Sequence, residues 1–417
     1  MSQSVQRGRS LIAVLLCFAA AAPVAASELK LERVVMLMRH GIRPPTKAQP
    51  IPAQYSPRAW PEWKVGPGLL TEHGAKGVAL LGAADRAELA RRGLLPATGC
   101  PAPGQLVVKA SKVPRAISTA EAWAASFAPG CTVAVDHPAK GEPDSLFHPL
   151  EARPSWFDGR EALEEALRSE DPATEAKRLA PEIRQLETVL DCNPPQCDLE
   201  HQASTLAERR HDRPSFGGPL NAAATASESF LLEYLENKPP SEVGWGLVDR
   251  AGIERLLVFT AVKFRFQDRP LYIARAAAGP LANAMVDALT EPDTARVTLF
   301  AGHDTNIADL AGLLDLHWRV PGYPVDTVPP GSALGFELLS SEDGQRFVRA
   351  FYRSQDMEQL RNLQPLSAAN PAHISYLDIP GCGRAAEPRS CGIAAFTARV
   401  KSRLGSRGGV PILISTR

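Results

Sequence analysis

The sequence predicts an α/β fold: a mainly parallel central sheet flanked by helices, with an inserted, mostly α-helical smaller domain. Three observations carry this. Val34-Val35-Met36-Leu37-Met38 is a continuous apolar run ending at a charged, glycine-containing turn, as expected of a strand buried on both faces of a parallel sheet. Strand-like and helix-like segments alternate up to about residue 150, the pattern of strands joined by crossover helices. From about 151 to 263 the strand signal fades, and Glu, Ala, Leu and Arg recur at helical spacing. The expected division is an α/β domain of residues 27–150 and 264–417, with 151–263 as the helical insertion.

Taken in order, residues 1–26 stand apart. Arg7 and Arg9 form a positive start, an apolar stretch follows to Ala22, and Val24-Ala25-Ala26 supplies small residues for cleavage. That is the form of a signal peptide cut near Ala26, too short to span a bilayer. The expected location is periplasmic or secreted, with no membrane attachment of the mature form. A helix is predicted over 72–92, with Thr71 as N-cap and Gly93 past its end. Leu106-Val107-Val108 reads as a strand, a helix follows from Arg115 to about Phe127, and 132–135 reads as a further strand. The clearest helix of the insertion is 220–236, closed by Pro239-Pro240. Val297-Thr298-Leu299-Phe300 is a second buried strand, ending at Gly302-His303-Asp304, and 333–339 and 345–352 flank a hairpin turn at Glu342-Asp343-Gly344.

Composition narrows the class. The 417 residues are 44% hydrophobic and 22% charged with zero formal charge, so no basic excess suggests a nucleic-acid partner. Of seven cysteines, Cys17 leaves with the signal segment. The remaining six are an even number in an exported chain, which suggests disulfides in one of fifteen connectivities. Adjacent pairing, Cys100 with Cys131, Cys192 with Cys197 and Cys382 with Cys391, is the simplest. No Cys-x-x-Cys or nearby histidine cluster suggests a metal.

Two polar turns carry the chemistry, both at carboxyl ends of predicted strands, where open α/β sheets place their ligands. The first, Arg39-His40-Gly41-Ile42-Arg43-Pro44-Pro45-Thr46-Lys47, sets three cations around one imidazole. That is repulsive unless an anion completes it, and the planar arginine fork suits tetrahedral phosphate. A neutral imidazole nitrogen there can attack phosphorus and carry the phosphoryl group. The second turn is Ala301-Gly302-His303-Asp304-Thr305-Asn306. Its His303 can bind a phosphate oxygen, and Asp304 can protonate a leaving alkoxide and then activate water. Asp304 has a plainer alternative as a helix N-cap.

The chain resembles the histidine acid phosphatase family, in its branch of bacterial periplasmic phytases and glucose-1-phosphatases. The family's Arg-His-Gly-x-Arg-x-Pro-Thr/Ser motif matches Arg39 through Thr46, its His-Asp pair matches His303 and Asp304, and its third arginine matches Arg115 ahead of Thr119-Ala120-Glu121. The resemblance implies phosphomonoester hydrolysis at acidic pH through a phosphohistidine on His40. Arg39, Arg43, Arg115 and His303 would hold the phosphate, Asp304 would be the proton donor, and Thr46 and Lys47 would line the substrate pocket. It implies no metal or cofactor and a small phosphomonoester substrate, and the chain is expected to be a monomer.

Phytate is one substrate reading, and glucose 1-phosphate or another sugar phosphate is the alternative. Ala277 stands where the phytase branch has an arginine, with Arg275 two residues earlier, so a less basic pocket wall is expected. Ser111 stands where that branch has an aspartate. A mutase-like phosphotransferase and a non-catalytic phosphate-binding protein are the other readings weighed. Export and Asp304 argue against the first, and the complete set of reactive residues argues against the second.

Overall fold

The computed structural model describes residues 29–168, 170–382 and 389–408. The expected signal segment and Cys17 lie outside these residues. Strand β1 (Lys30–Arg39) runs through the middle of the main sheet. Its apolar run is continuous because both faces are covered. Val35 and Leu37 join one core cluster, while Val34, Met36 and Met38 join another on the opposite face. Each such side chain contributes about 1.5–3 kcal/mol by burial.

The other strands of this sheet are β2 (Leu106–Ala110), β3 (Val135–Asp136), β6 (Val297–Gly302), β7 (Ala333–Ser340), β8 (Arg346–Ser354), β9 (His373–Leu377) and β10 (Ser390–Gly392). A separate hairpin joins β4 (Thr205–Ala207) to β5 (Ser215–Gly217). The order is β10-β8-β7-β1-β6-β2-β3, with β9 also on β8. The parallel ladder is β1-β6-β2-β3, and the half built on β7 and β8 is antiparallel. The predicted strand at 132–135 is confined to Val135–Asp136. The predicted hairpin turns at Gly344, whose φ of +81° favours glycine.

Helices α1 (Glu72–Arg91) and α2 (Pro114–Phe127) cover one face, and Thr71 caps α1 by accepting from Gly74 N–H at 2.9 Å. Helices α9 (Leu271–Thr290), α10 (Asp304–Leu314) and α12 (Ile393–Gly408) cover the other. The segment expected to be a helical insertion holds α3 (Gly159–Ala166), α4 (Pro172–Arg178), α5 (Ala180–Leu190), α6 (Pro219–Leu235), α7 (Arg250–Leu256) and α8 (Val258–Gln267). Helix α8 runs across the expected boundary at 263/264, and the β4–β5 hairpin lies where no strand was expected. The short α11 (Met357–Arg361) follows β8. Disulfides join Cys100 to Cys131, Cys192 to Cys197 and Cys382 to Cys391, the adjacent pairing. Among the described residues no helix is long and apolar enough to cross a membrane.

Candidate active site

Three adjacent parallel strands end side by side and deliver the predicted residues to one place. Arg39 pairs in register with Gly302, and Ala110 with Ala301. The next residues are therefore His40, His303 and Ser111, with Arg115 on the first turn of α2. His40 N–H donates to the Gly302 carbonyl at 3.0 Å, and Ser111 N–H to that of Ala301 at 2.9 Å. The Pro329-Pro330-Gly331 loop closes the other side, where Gly331 N–H donates to the His40 carbonyl at 3.1 Å.

His40 is buried, and its Nδ1 lies 2.8 Å from the Gly41 carbonyl. A carbonyl only accepts, so Nδ1 carries the proton and Nε2 keeps its lone pair. Arg43 Nε approaches that Nε2 at 3.4 Å. Burial, then the charges of Arg43, Arg39 and Arg115, hold the imidazole well below the usual histidine range. Glycine is needed at 41 for space. A Cβ there would stand 2.8 Å from Leu70 Cδ1 and 2.9 Å from Val78 Cγ2, while Gly41 N–H donates to Thr119 Oγ1 at 3.0 Å.

The arginines divide by partner. Arg39 is buried against Glu228 of α6 and the Val328 carbonyl, and its Nη2 is 3.2 Å from Asp304 Oδ2. Arg43 and Arg115 form no carboxylate pair among the described residues, and the Arg115 Nε is buried without a partner. Burial, with the charges of Arg43 and Arg39, lowers Arg115 to about 10. Those two guanidiniums are the uncompensated charge that an anion would complete.

Asp304 is the first residue of α10, and the N-cap position belongs to His303. The plainer role weighed for Asp304 is thus filled by its neighbour. Burial alone would push the Asp304 carboxyl up, but Arg39 and Arg43 outweigh it and hold it at about 2. His303, whose ring centroid is 5.6 Å from that of His40, has Nδ1 3.3 Å from Arg115 Nη2 and Nε2 3.3 Å from Ser111 Oγ. The guanidinium only donates, so Nε2 carries the His303 proton. Ser111 Oγ in turn donates to Asp144 Oδ2 at 2.7 Å. Burial, then Arg115, keeps His303 well below the usual range.

The pocket residues are less uniform. Gly68 lies between Thr46 and Arg115, since a Cβ on it would be 3.6 Å from Thr46 Cγ2 and 3.7 Å from Arg115 Nη1. Thr46 therefore borders the cage. Lys47 is exposed and lines a cavity of about 270 Å³ with Trp60 and Trp63, and no side-chain contact among the described residues ties it to the cage. Ala277 is buried in an apolar cluster with Leu150 and Tyr272, and Arg275 Nε turns away to the Arg403 carbonyl. A neighbouring cavity, on which Leu150 also opens, carries Arg153, Arg209, Arg210 and Arg213.

Sequence reasoning missed Glu228 and the Ser111–Asp144 link. No local signal marked Glu228, since the same helix also carries Glu233, the more buried of its two acids. For Ser111 the signal was Asp144, the acid that opens the segment DSLFHPL.

Comparisons with known proteins give the family. A model of the histidine phosphatase superfamily (branch 2) matches residues 30–353. The phytase AppA of Escherichia coli (strain K12) is 34% identical over 400 residues, covering 89% of this chain and 91% of that protein. A glucose-1-phosphatase of Salmonella typhimurium is 30% identical over 386 residues, covering 89% and 92%. The Hafnia alvei phytase, solved with myo-inositol hexakis sulphate, superposes with a TM-score of 0.86 at 31% identity, covering 94% of this chain and all of that one. Citrobacter braakii phytase superposes with a TM-score of 0.84.

Proposed function

Because the chain belongs to the histidine phosphatase superfamily (branch 2), we propose that it hydrolyses phosphomonoesters by passing the phosphoryl group through His40. The protein is a hydrolase of phosphate esters, and the residue roles are our assignment. The carrying observation is the buried neutral imidazole of His40, with Nδ1 engaged on the Gly41 carbonyl and the Nε2 lone pair facing Arg43 Nε, which donates to it weakly at 3.4 Å. Nε2 attacks phosphorus, the P–O ester bond breaks, and Asp304 gives its proton to the departing oxygen. Water then attacks the phosphohistidine, Asp304 takes the water's proton, the P–N bond breaks, and phosphate leaves with His40 neutral again.

Acid favours this cycle for two reasons. A phosphate set against Arg39, Arg43 and Arg115 cancels the charge that keeps Asp304 ionised, and burial then favours the protonated donor. The same anion favours a protonated His303, which would donate from Nδ1 to a phosphoryl oxygen and from Nε2 to Ser111. His40 meanwhile stays neutral well below the pH at which a free histidine protonates. With arginines covering the phosphoryl oxygens, the scheme calls for no metal.

The N-terminal segment and the three disulfides support a periplasmic or secreted location, and we take the working form to be a monomer. The natural ester is the open choice between phytate and a sugar phosphate such as glucose 1-phosphate. The test is phosphate release at acidic pH from phytate, glucose 1-phosphate and an aryl phosphate, with and without EDTA. Turnover should survive chelation and vanish on all three esters in His40→Ala. A strict metal requirement, or activity retained by His40→Ala, contradicts the assignment.

A further inference from the structure

We propose that the cavity beside the cage is a second anion site, with Arg153 and Arg210 as cations that select esters carrying a further phosphate. This rests on the phosphatase reading, since it concerns which ester the same cage receives. The cavity, about 370 Å³, is lined by His148 and Thr305 together with Arg153, Arg209, Arg210 and Arg213. The ring centroids of His148 and His303 are 5.0 Å apart, and Thr305 follows Asp304 in the chain. An ester with its scissile phosphate at His303 and Asp304 therefore has this cavity as its immediate neighbour.

The charge in the cavity is unevenly spent. Its two carboxylates are already occupied: Glu151 pairs with Lys112 at 2.7 Å, and Asp212 with Arg209 at 3.1 Å. Arg213 forks onto Asp309 at 2.7 and 2.8 Å and also pairs with Asp268. Among the described residues, Arg153 and Arg210 alone of the cavity's arginines have no carboxylate partner and no side-chain hydrogen bond. Two free cations beside a phosphate cage are matched by a second anion on the same molecule.

The backbone is shaped to keep them there. Arg153 sits in the left-handed region at φ 49°, ψ 60°, and His211 at φ 60°, a conformation that disfavours residues with a Cβ. Gly159, the first residue of α3, lies so close under the loop that a Cβ would be 2.1 Å from the Arg209 carbonyl oxygen. His211 Nδ1 donates to the Phe157 carbonyl at 3.2 Å. Arg213, through Asp309, ties the same loop to α10, the helix that begins at Asp304. The backbone carrying the cations is thus held relative to the proton donor, while their side chains stay free to reach an anion.

The experiment compares wild type, Arg153→Gln, Arg210→Gln and the double variant on an aryl monophosphate and on myo-inositol hexakisphosphate. Both side chains are exposed, so each contact is discounted for screening to about a fivefold effect. For the hexakisphosphate, kcat/KM should fall about fivefold in each single variant and roughly 25-fold in the double, chiefly through KM. The loss should shrink as salt is raised, and the aryl phosphate should stay within about twofold. Unchanged hexakisphosphate turnover in the double variant overturns the proposal, as does a parallel fall on the aryl ester. Calorimetric binding of myo-inositol hexakis sulphate separates the two levels. If wild type hydrolyses neither ester, the phosphatase reading fails, and weaker sulphate binding by the double variant still upholds the site.

Discussion

Replacing Asp304 by Asn should separate poor leaving groups from good ones. The carboxyl sits at about 2 because Arg39, with Nη2 at 3.2 Å, and Arg43 outweigh its burial. To carry a proton at about pH 5 it must rise by about 3, or ~4 kcal/mol at 1.36 kcal/mol per pH unit. One unit charge about 4 Å away is worth ~4 kcal/mol at an effective dielectric of 20, so a bound phosphate that cancels one arginine charge suffices. Asn keeps the shape but can neither give this proton nor later take one from water. An alkyl ester such as glucose 1-phosphate should then lose about 10²–10⁴ in kcat/KM, the usual worth of a general acid. An aryl phosphate, whose phenolate departs unaided, should lose about tenfold or less in its first step, yet stall at hydrolysis of the intermediate. Quenched-flow should show a burst of phenol near one equivalent followed by slow turnover. Equal losses on the two esters and no burst would refute the role given to Asp304.

Other perturbations have signs set by the same geometry. The buried His40 is held below its usual range, so the unfolded chain takes up a proton near pH 6.5 that the folded chain refuses. Stability is therefore lost as pH falls through that value, and His40→Gln should gain Tm relative to wild type on acidification; a constant gap in calorimetry contradicts this. Gly41→Ala places a Cβ 2.8 Å from Leu70 Cδ1 and should cost about 1–3 kcal/mol in urea unfolding, with a fall in kcat as the His40 turn shifts. Replacing Cys100 and Cys131 by Ala opens a link of sequence separation 31 and should cost about 2–4 kcal/mol, with kcat per folded molecule unchanged.

What the sequence made legible was local. Residues 34–38 betrayed a two-sided strand because every position is apolar, and Thr71 and Gly93 marked the ends of α1 because capping is read within a turn or two. The two polar turns showed their residue types, but not that β1 and β6 would be neighbours placing His40 and His303 together. That follows from a parallel pairing across 263 residues, with no local signature. Glu228 was invisible for the same reason, since nothing in α6 announces that Arg39 faces it. Nor does Ala277 speak for the neighbouring cavity, whose Arg153 and Arg210 come from segments far from α9 in the sequence.

The phosphoryl carrier itself can be measured directly. Wild type and Asp304→Asn, mixed with an aryl phosphate, quenched in base and digested, should yield a phosphorylated peptide containing Arg39-His40-Gly41, labile to acid and stable to base. The label should map to His40, accumulate to near one per chain in Asp304→Asn, and be absent from His40→Ala. Full turnover with no phosphopeptide, or a label on any other residue, would contradict the account at its centre.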